Sequence, residues 1–167
     1  ETLFEPGSIS KSLNAVGILK LAQEKKIDLN TDINTYLTSW KFPYDSISKG
    51  KKISIANLLN HTAGLSIGGF AGYEKGQKLP TTIETLDGVK PSNSNAVRSV
   101  FEPGLKFQYS GGGTTITQLI LENTTGEKYE EYMMKNVLTP LGMNSSSFNQ
   151  PPAKEKENLL ATGYNID

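Results

Sequence analysis

The sequence predicts a mainly α-helical single domain, its helices joined by long glycine-rich connections. Three observations carry that expectation. Residues 8–26 form an apolar run in which Leu13, Ala15, Val16, Ile18, Leu19, Leu21 and Ala22 leave almost no polar face. Residues 114–123 and 127–138 are two further apolar-faced stretches, separated by Gly126, a residue suited to ending a helix. The stretch 64–80 is rich in glycine and reads as a long loop of the kind that lines a site. The 167 residues fit one core and one domain, 1–167.

The elements follow in order. Pro6-Gly7 breaks a short extended start, and Ser8 suits a helix beginning. The helix over 8–26 should be buried on most sides. Residues 27–44 carry Asp28, Asn30, Asp32 and Asn34, which favour turns and short helix caps. A short amphipathic helix is expected over 54–59, ended by Thr62-Ala-Gly64, and another over 81–87. Glu102-Pro-Gly104 is a turn, and 105–108 an extended run. In the helix over 114–123, Ile116, Leu119 and Ile120 face inward; over 127–138, Tyr129, Tyr132, Met133 and Val137 do. Pro140 to Met143 ends that helix.

Composition excludes several functions. Seventeen Lys+Arg balance seventeen Asp+Glu, so no concentrated basic surface awaits nucleic-acid phosphates. No stretch approaches the ~18–20 apolar residues of a membrane span. With no Cys and one His, thiol chemistry, disulfides and a metal centre are not expected, nor is a cofactor. Both ends read as cut from something longer.

Ser8-Ile-Ser-Lys11 is the leading catalytic candidate. A Ser at a helix start and a Lys one turn on share a face, and a Lys among apolar residues can serve as the base a hydroxyl needs. The helix N-terminus favours negative charge developing at Ser8. The spacing alone is common, since Ser46 to Lys49 and Ser48 to Lys51 share it. Context separates them: Gly7 precedes Ser8 and an apolar helix follows, whereas Ser46 leads into Gly50-Lys51-Lys52 and reads as a solvated turn.

Gly64-Leu-Ser-Ile-Gly68 matches a nucleophile-elbow pattern, but that motif needs a strand before it and a later His. Here a helix precedes and the one His, His61, comes first, so Ser66 reads as a loop residue. His61 could act as a base, yet it reads better as closing a short helix and bonding loop carbonyls. Tyr109-Ser-Gly-Gly-Gly113 opens a helix, and its glycines allow close backbone approach. Tyr109 could be core, loop packing or a proton shuttle.

Taken together, the segments resemble the class C β-lactamase and penicillin-binding protein family of serine hydrolases, which includes D-alanyl peptidases, D-aminopeptidases and esterases. The resemblance rests on Phe4 to Ser12, Ile27 to Asn34, Ile53 to Leu65, Pro103 to Gly111 and Leu138 to Met143, in that order. It implies that this chain is the helical part of an α/β (α+β) fold, with most of the antiparallel sheet missing and only short sheet ends at 1–4 and 160–166. It implies Ser8 as acylated nucleophile, Lys11 as base or proton partner and Tyr109 as the group that protonates the leaving group. The Ser8 backbone N–H would form half of an oxyanion hole. A small-molecule or peptidoglycan-like peptide substrate and an extracytoplasmic setting follow from the same resemblance.

The chain departs from the pattern twice. The family's second motif is usually Tyr-x-Asn, whereas this chain has Tyr109-Ser110-Gly111, so Gly111 stands at a substrate-binding position without its amide. The third motif, a Lys/His-Thr/Ser-Gly strand, is absent. Two other readings stay open: a catalytically silent binding or sensor protein on the same scaffold, and a structural helical module.

Overall fold

The computed structural model describes residues 2–163. Among these residues five α-helices are joined by short 3-10 turns and long connections: α1 (Ser10–Gln23), α2 (Ile55–Leu59), α3 (Thr82–Asp87), α4 (Gly111–Thr125) and α5 (Tyr129–Met133). A π-turn, Met134–Leu138, continues α5. Among the described residues there is no extended strand, only isolated bridges. One is parallel, between Leu3 and Leu160, where the two expected sheet ends meet. Glu1 and residues 164–166 of those ends lie outside the described residues.

Helix α4 is the hub, with α1, α2, α3 and α5 all packed on it. It contributes Ile116, Leu119, Ile120 and Leu121 to the core, against Ile18 and Leu21 of α1 and Tyr132 and Met133 of α5. Ser110 caps it by accepting from the Gly113 N–H at 3.0 Å, so α4 begins at Gly111 and not at Thr114. Three glycines are poor helix formers, which hid that first turn. They are tolerated because bulk is not: a Cβ on Gly112 would lie 2.6 Å from Val97 Cγ2.

The short helices begin where cap chemistry places them. Ser54 with Asn57, and Thr81 with Glu84, form reciprocal capping boxes at α2 and α3. Asp32 caps the Ile33–Thr35 turn by accepting from the Asn34 N–H, in keeping with a turn-rich 27–44 segment.

Helix α1 departs from expectation. It ends at Gln23, because Lys25 turns left-handed (φ 58°) and the Lys26 N–H reaches back to the Leu21 carbonyl. Nor is it buried on most sides. Ile18 and Leu21 are enclosed, but Val16 and Leu19 are 45% and 47% exposed, and Ile9 just before the helix is 74% exposed. The buried face also holds a polar residue, Asn14. Its amide donates to Thr117 Oγ1 at 2.8 Å, and the Tyr129 hydroxyl donates to Asn14 Oδ1 at 3.0 Å, tying α1, α4 and α5 together.

Candidate active site

Gly7 sets the approach to the site. Its φ of 53° is left-handed, where side chains are strained, and it turns the chain into a 3-10 turn, Gly7–Ile9, that runs directly into α1. Ser8 therefore sits inside this turn and does not cap the helix. Ser10 Oγ instead donates to the Gly7 carbonyl at 2.6 Å and Ser12 Oγ to the Ile9 carbonyl at 2.7 Å. Ser8 Oγ is left facing Lys11, whose Nζ donates to it at 3.0 Å.

Tyr109 comes to the same place from a hundred residues away. The Gly104 N–H donates to the Thr62 carbonyl at 2.8 Å and the Gln108 N–H to the His61 carbonyl at 2.7 Å. Beyond Tyr109 the anchoring continues: Gly111 N–H to Gly68 carbonyl at 3.0 Å, and Gly112 N–H to Ile67 carbonyl at 3.1 Å. Held between these, the Tyr109 ring lies with its centroid 5.1 Å from Lys11 Nζ. Hydrogen-bonding proximity to Lys11 first, then to Ser8, holds the Tyr109 phenol below its ordinary value of 10. The Ser8–Lys11 contact is the tight one, and looser spacing to Tyr109 is normal in an unliganded site.

Ser8, Lys11 and Tyr109 thus converge. The surroundings of Lys11 are only partly the apolar ones expected: it is half-buried, beside the Tyr109 ring and a cavity of about 30 Å³ lined by apolar Ala15, Leu58 and Leu59 and by polar Asn14, His61, Thr114 and Thr117. A larger depression, about 490 Å³, lies at the other end of α1 around Ala22, Lys25, Asp28 and Tyr36, and includes none of the three.

The other candidates fall outside the cluster. Ser66 Oγ donates to the Ala96 carbonyl at 3.1 Å and accepts from the Arg98 N–H at 2.9 Å, stitching two loops together. Ser46 is exposed on a 3-10 turn capped by Asp45. Gly111 is buried, and a Cβ there would meet the Gly68 carbonyl at 3.1 Å and the Phe70 ring at 3.4 Å. The glycine-rich loop thus occupies the room a side chain at 111 needs.

His61 closes α2 as expected, its N–H donating to the Leu58 carbonyl at 3.4 Å. Toward the loop it accepts where donation was expected: its carbonyl takes the Gln108 N–H, and its Nδ1 takes the Ser110 N–H at 3.3 Å. Its ring lies 4.5 Å from that of Tyr109 and 5.8 Å from that of Phe107. Neither this role nor that of Asn14 was singled out from sequence. For Asn14 a signal existed, an amide among apolar residues on a core-facing helix; for His61 the signal lies in tertiary contacts.

The family model described as Beta-lactamase matches residues 1–164. The chain belongs to the beta-lactamase family. Its scaffold is accordingly of the serine-hydrolase type. Protein flp of Staphylococcus aureus is 29% identical over 174 residues, covering 99% of this chain and 31% of that protein. Penicillin-binding protein 4* of Bacillus subtilis is 27% identical over 169 residues, covering 99% and 35%. Among solved structures, the octameric penicillin-binding protein homologue from Pyrococcus abyssi superposes with a TM-score of 0.74 at 31% identity, over 100% of this chain and 37% of that one. The chain spans about a third of the length of the curated relatives it matches. No helix among the described residues is long and apolar enough to cross a membrane.

Proposed function

We propose that the protein is a serine hydrolase working through an acyl-Ser8 intermediate on a peptide, ester or β-lactam. One observation carries this reading: Lys11 Nζ lies 3.0 Å from Ser8 Oγ, with Tyr109 converging on the same pair. A serine hydroxyl is a weak nucleophile until a neighbour takes its proton. As Ser8 Oγ bonds to the acyl carbon, its proton passes into the Lys11–Tyr109 pair. Tyr109 then returns a proton to the leaving amine or alkoxide as that bond breaks. Water reverses the sequence, freeing the acid and restoring Ser8. The neighbours that hold the Tyr109 phenol low suit it to accept and return a proton.

The Ser8 backbone N–H supplies one oxyanion donor; the second, and the third catalytic strand, belong to the remaining part of the family's fold. Family membership supports a substrate and compartment like those of penicillin-binding proteins, a peptidoglycan-like peptide outside the cytoplasm. Without an amide at Gly111, discrimination for substrates offering a partner to that amide falls. Turnover of esters and D-amino-acid peptides should therefore exceed that of β-lactams. Steady-state kinetics of the full-length protein on a panel of the three classes tests this, with Ser8→Ala as control. The expected result is ester or peptide turnover abolished by Ser8→Ala. Rapid cephalosporin hydrolysis would overturn the substrate order, and full activity in Ser8→Ala the whole reading.

A further inference from the structure

We infer that His61 is a positioning residue for the Ser8–Lys11–Tyr109 cluster: as a neutral imidazole, its proton on Nε2, it holds the Tyr109–Ser110 segment against α1. The inference rests on the acyl-transfer reading only for its effect on turnover; its structural half stands without it.

The tautomer follows from the hydrogen bond. Nδ1 faces the Ser110 N–H, a donor, at 3.3 Å, so Nδ1 must carry a lone pair and the ring proton must sit on Nε2. The same residue grips the segment twice more, through its carbonyl to the Gln108 N–H and through ring contacts with Phe107 and Tyr109. Its backbone is left-handed, φ 59°, which aims main chain and ring at one strip of neighbour.

Protonation would undo the grip. A proton on Nδ1 would set two donors face to face, and the new cation would stand near the Lys11 ammonium. The charged and titratable neighbours are few among the described residues: α1 presents Lys11, and the 105–110 segment presents Tyr109, while its Lys106 lies over the Phe101 ring, 4.8 Å from the centroid. The α2 and α4 residues lining the shared cavity, Leu58, Leu59, Thr114 and Thr117, carry no titratable group. The flanking aromatic rings favour a cation, but burial and then Lys11 oppose it, and they hold the imidazole below its ordinary value of 6.5. Below that midpoint the Ser110 bond is lost and Tyr109 is free to leave Lys11 and Ser8.

His61 is the single histidine, so its ring resonances are unambiguous in nuclear magnetic resonance. The test is a pH titration of this chain with labelled imidazole nitrogens, in wild type, Lys11→Met and His61→Asn. The expected results are an Nε2–H tautomer at neutral pH, a midpoint below 6.5, and an upward shift of that midpoint in Lys11→Met. Tyr109 ring resonances should move with the same midpoint in wild type. They should lose that step in His61→Asn, whose amide oxygen can accept the Ser110 N–H and whose side chain tolerates the left-handed backbone. An Nδ1–H tautomer, a midpoint at or above 6.5, or Tyr109 resonances indifferent to His61 protonation would overturn the inference; the first two are read in wild type, whatever the variants do. If this chain passes these tests while the full-length protein never acylates at Ser8, the acyl-transfer reading is refuted and this one stands.

Discussion

The Tyr109 phenol carries the sharpest contrast among the tyrosines. It lies 38% exposed beside an ammonium and a hydroxyl, and those neighbours favour its ionised form. Tyr44 and Tyr129 are pushed above the usual tyrosine range, each chiefly by burial. The sign is simple: stabilising the phenolate lowers a midpoint, whereas burying the phenol raises it. In an ultraviolet absorbance titration Tyr109 should therefore ionise ahead of Tyr44, Tyr129 and Tyr132, and Tyr109→Phe should delete a step that precedes theirs. An unchanged curve in that variant would separate Tyr109 from Lys11. Residue identity made Ser8 and Lys11 legible in the sequence, because a one-turn spacing is a local property. Tyr109 was legible only through family resemblance. The grip of His61 was not legible, since it depends on a left-handed backbone and a partner 49 positions away.

At the scale of elements, α1 owes its place to polar and apolar contacts together. Asn14 lies one turn beyond Lys11 and is 3% exposed, with both ends of its amide used. Asn14→Ala should leave the Tyr129 hydroxyl without its acceptor and Thr117 Oγ1 without one of its partners. Thr117 Oγ1 keeps its bond to the Thr114 carbonyl, so one buried hydroxyl is left unsatisfied. That costs about 1–3 kcal/mol, and chemical denaturation should show a loss of at least about 1 kcal/mol. A loss under about 0.5 kcal/mol would show that the network does not hold α1. The apolar run of α1 and the apolar faces of α4 and α5 made those helices visible in sequence, and an amphipathic pattern marked α2; the capping boxes at Ser54 and Thr81 emerge from the structure. Two boundaries were hidden for physical reasons. The Gly111–Gly113 turn is helical through the Ser110 cap and close packing, against its intrinsic preference, and the π-turn after Met133 leaves no mark in an apolar pattern.

Across the whole molecule, the unfilled side of α1 is the main feature. Ile9, Val16 and Leu19 recur at intervals of seven and three residues, so they share one face, and all three are exposed, as is Phe4. The expectation of a helix enclosed on most sides misread this stripe: within the chain α1 buries one face, on α4 and α5. Contiguous exposed apolar surface promotes association. By sedimentation velocity this chain should self-associate, and Val16→Lys with Leu19→Lys should shift it toward monomer. A wild-type chain that stays monomeric at high concentration would contradict that. The same open face fits a chain spanning about a third of its relatives' length.

The central claim is that Ser8 takes the acyl group, and peptide mapping by mass spectrometry tests it most directly. The full-length protein would be treated with a fluorophosphonate or a penicillin, digested and mapped, alongside Ser8→Ala, Ser46→Ala and Ser66→Ala. The adduct should fall on the peptide containing Ser8, vanish in Ser8→Ala and persist in the other two. An adduct on Ser46 or Ser66, or one that survives Ser8→Ala, would contradict it.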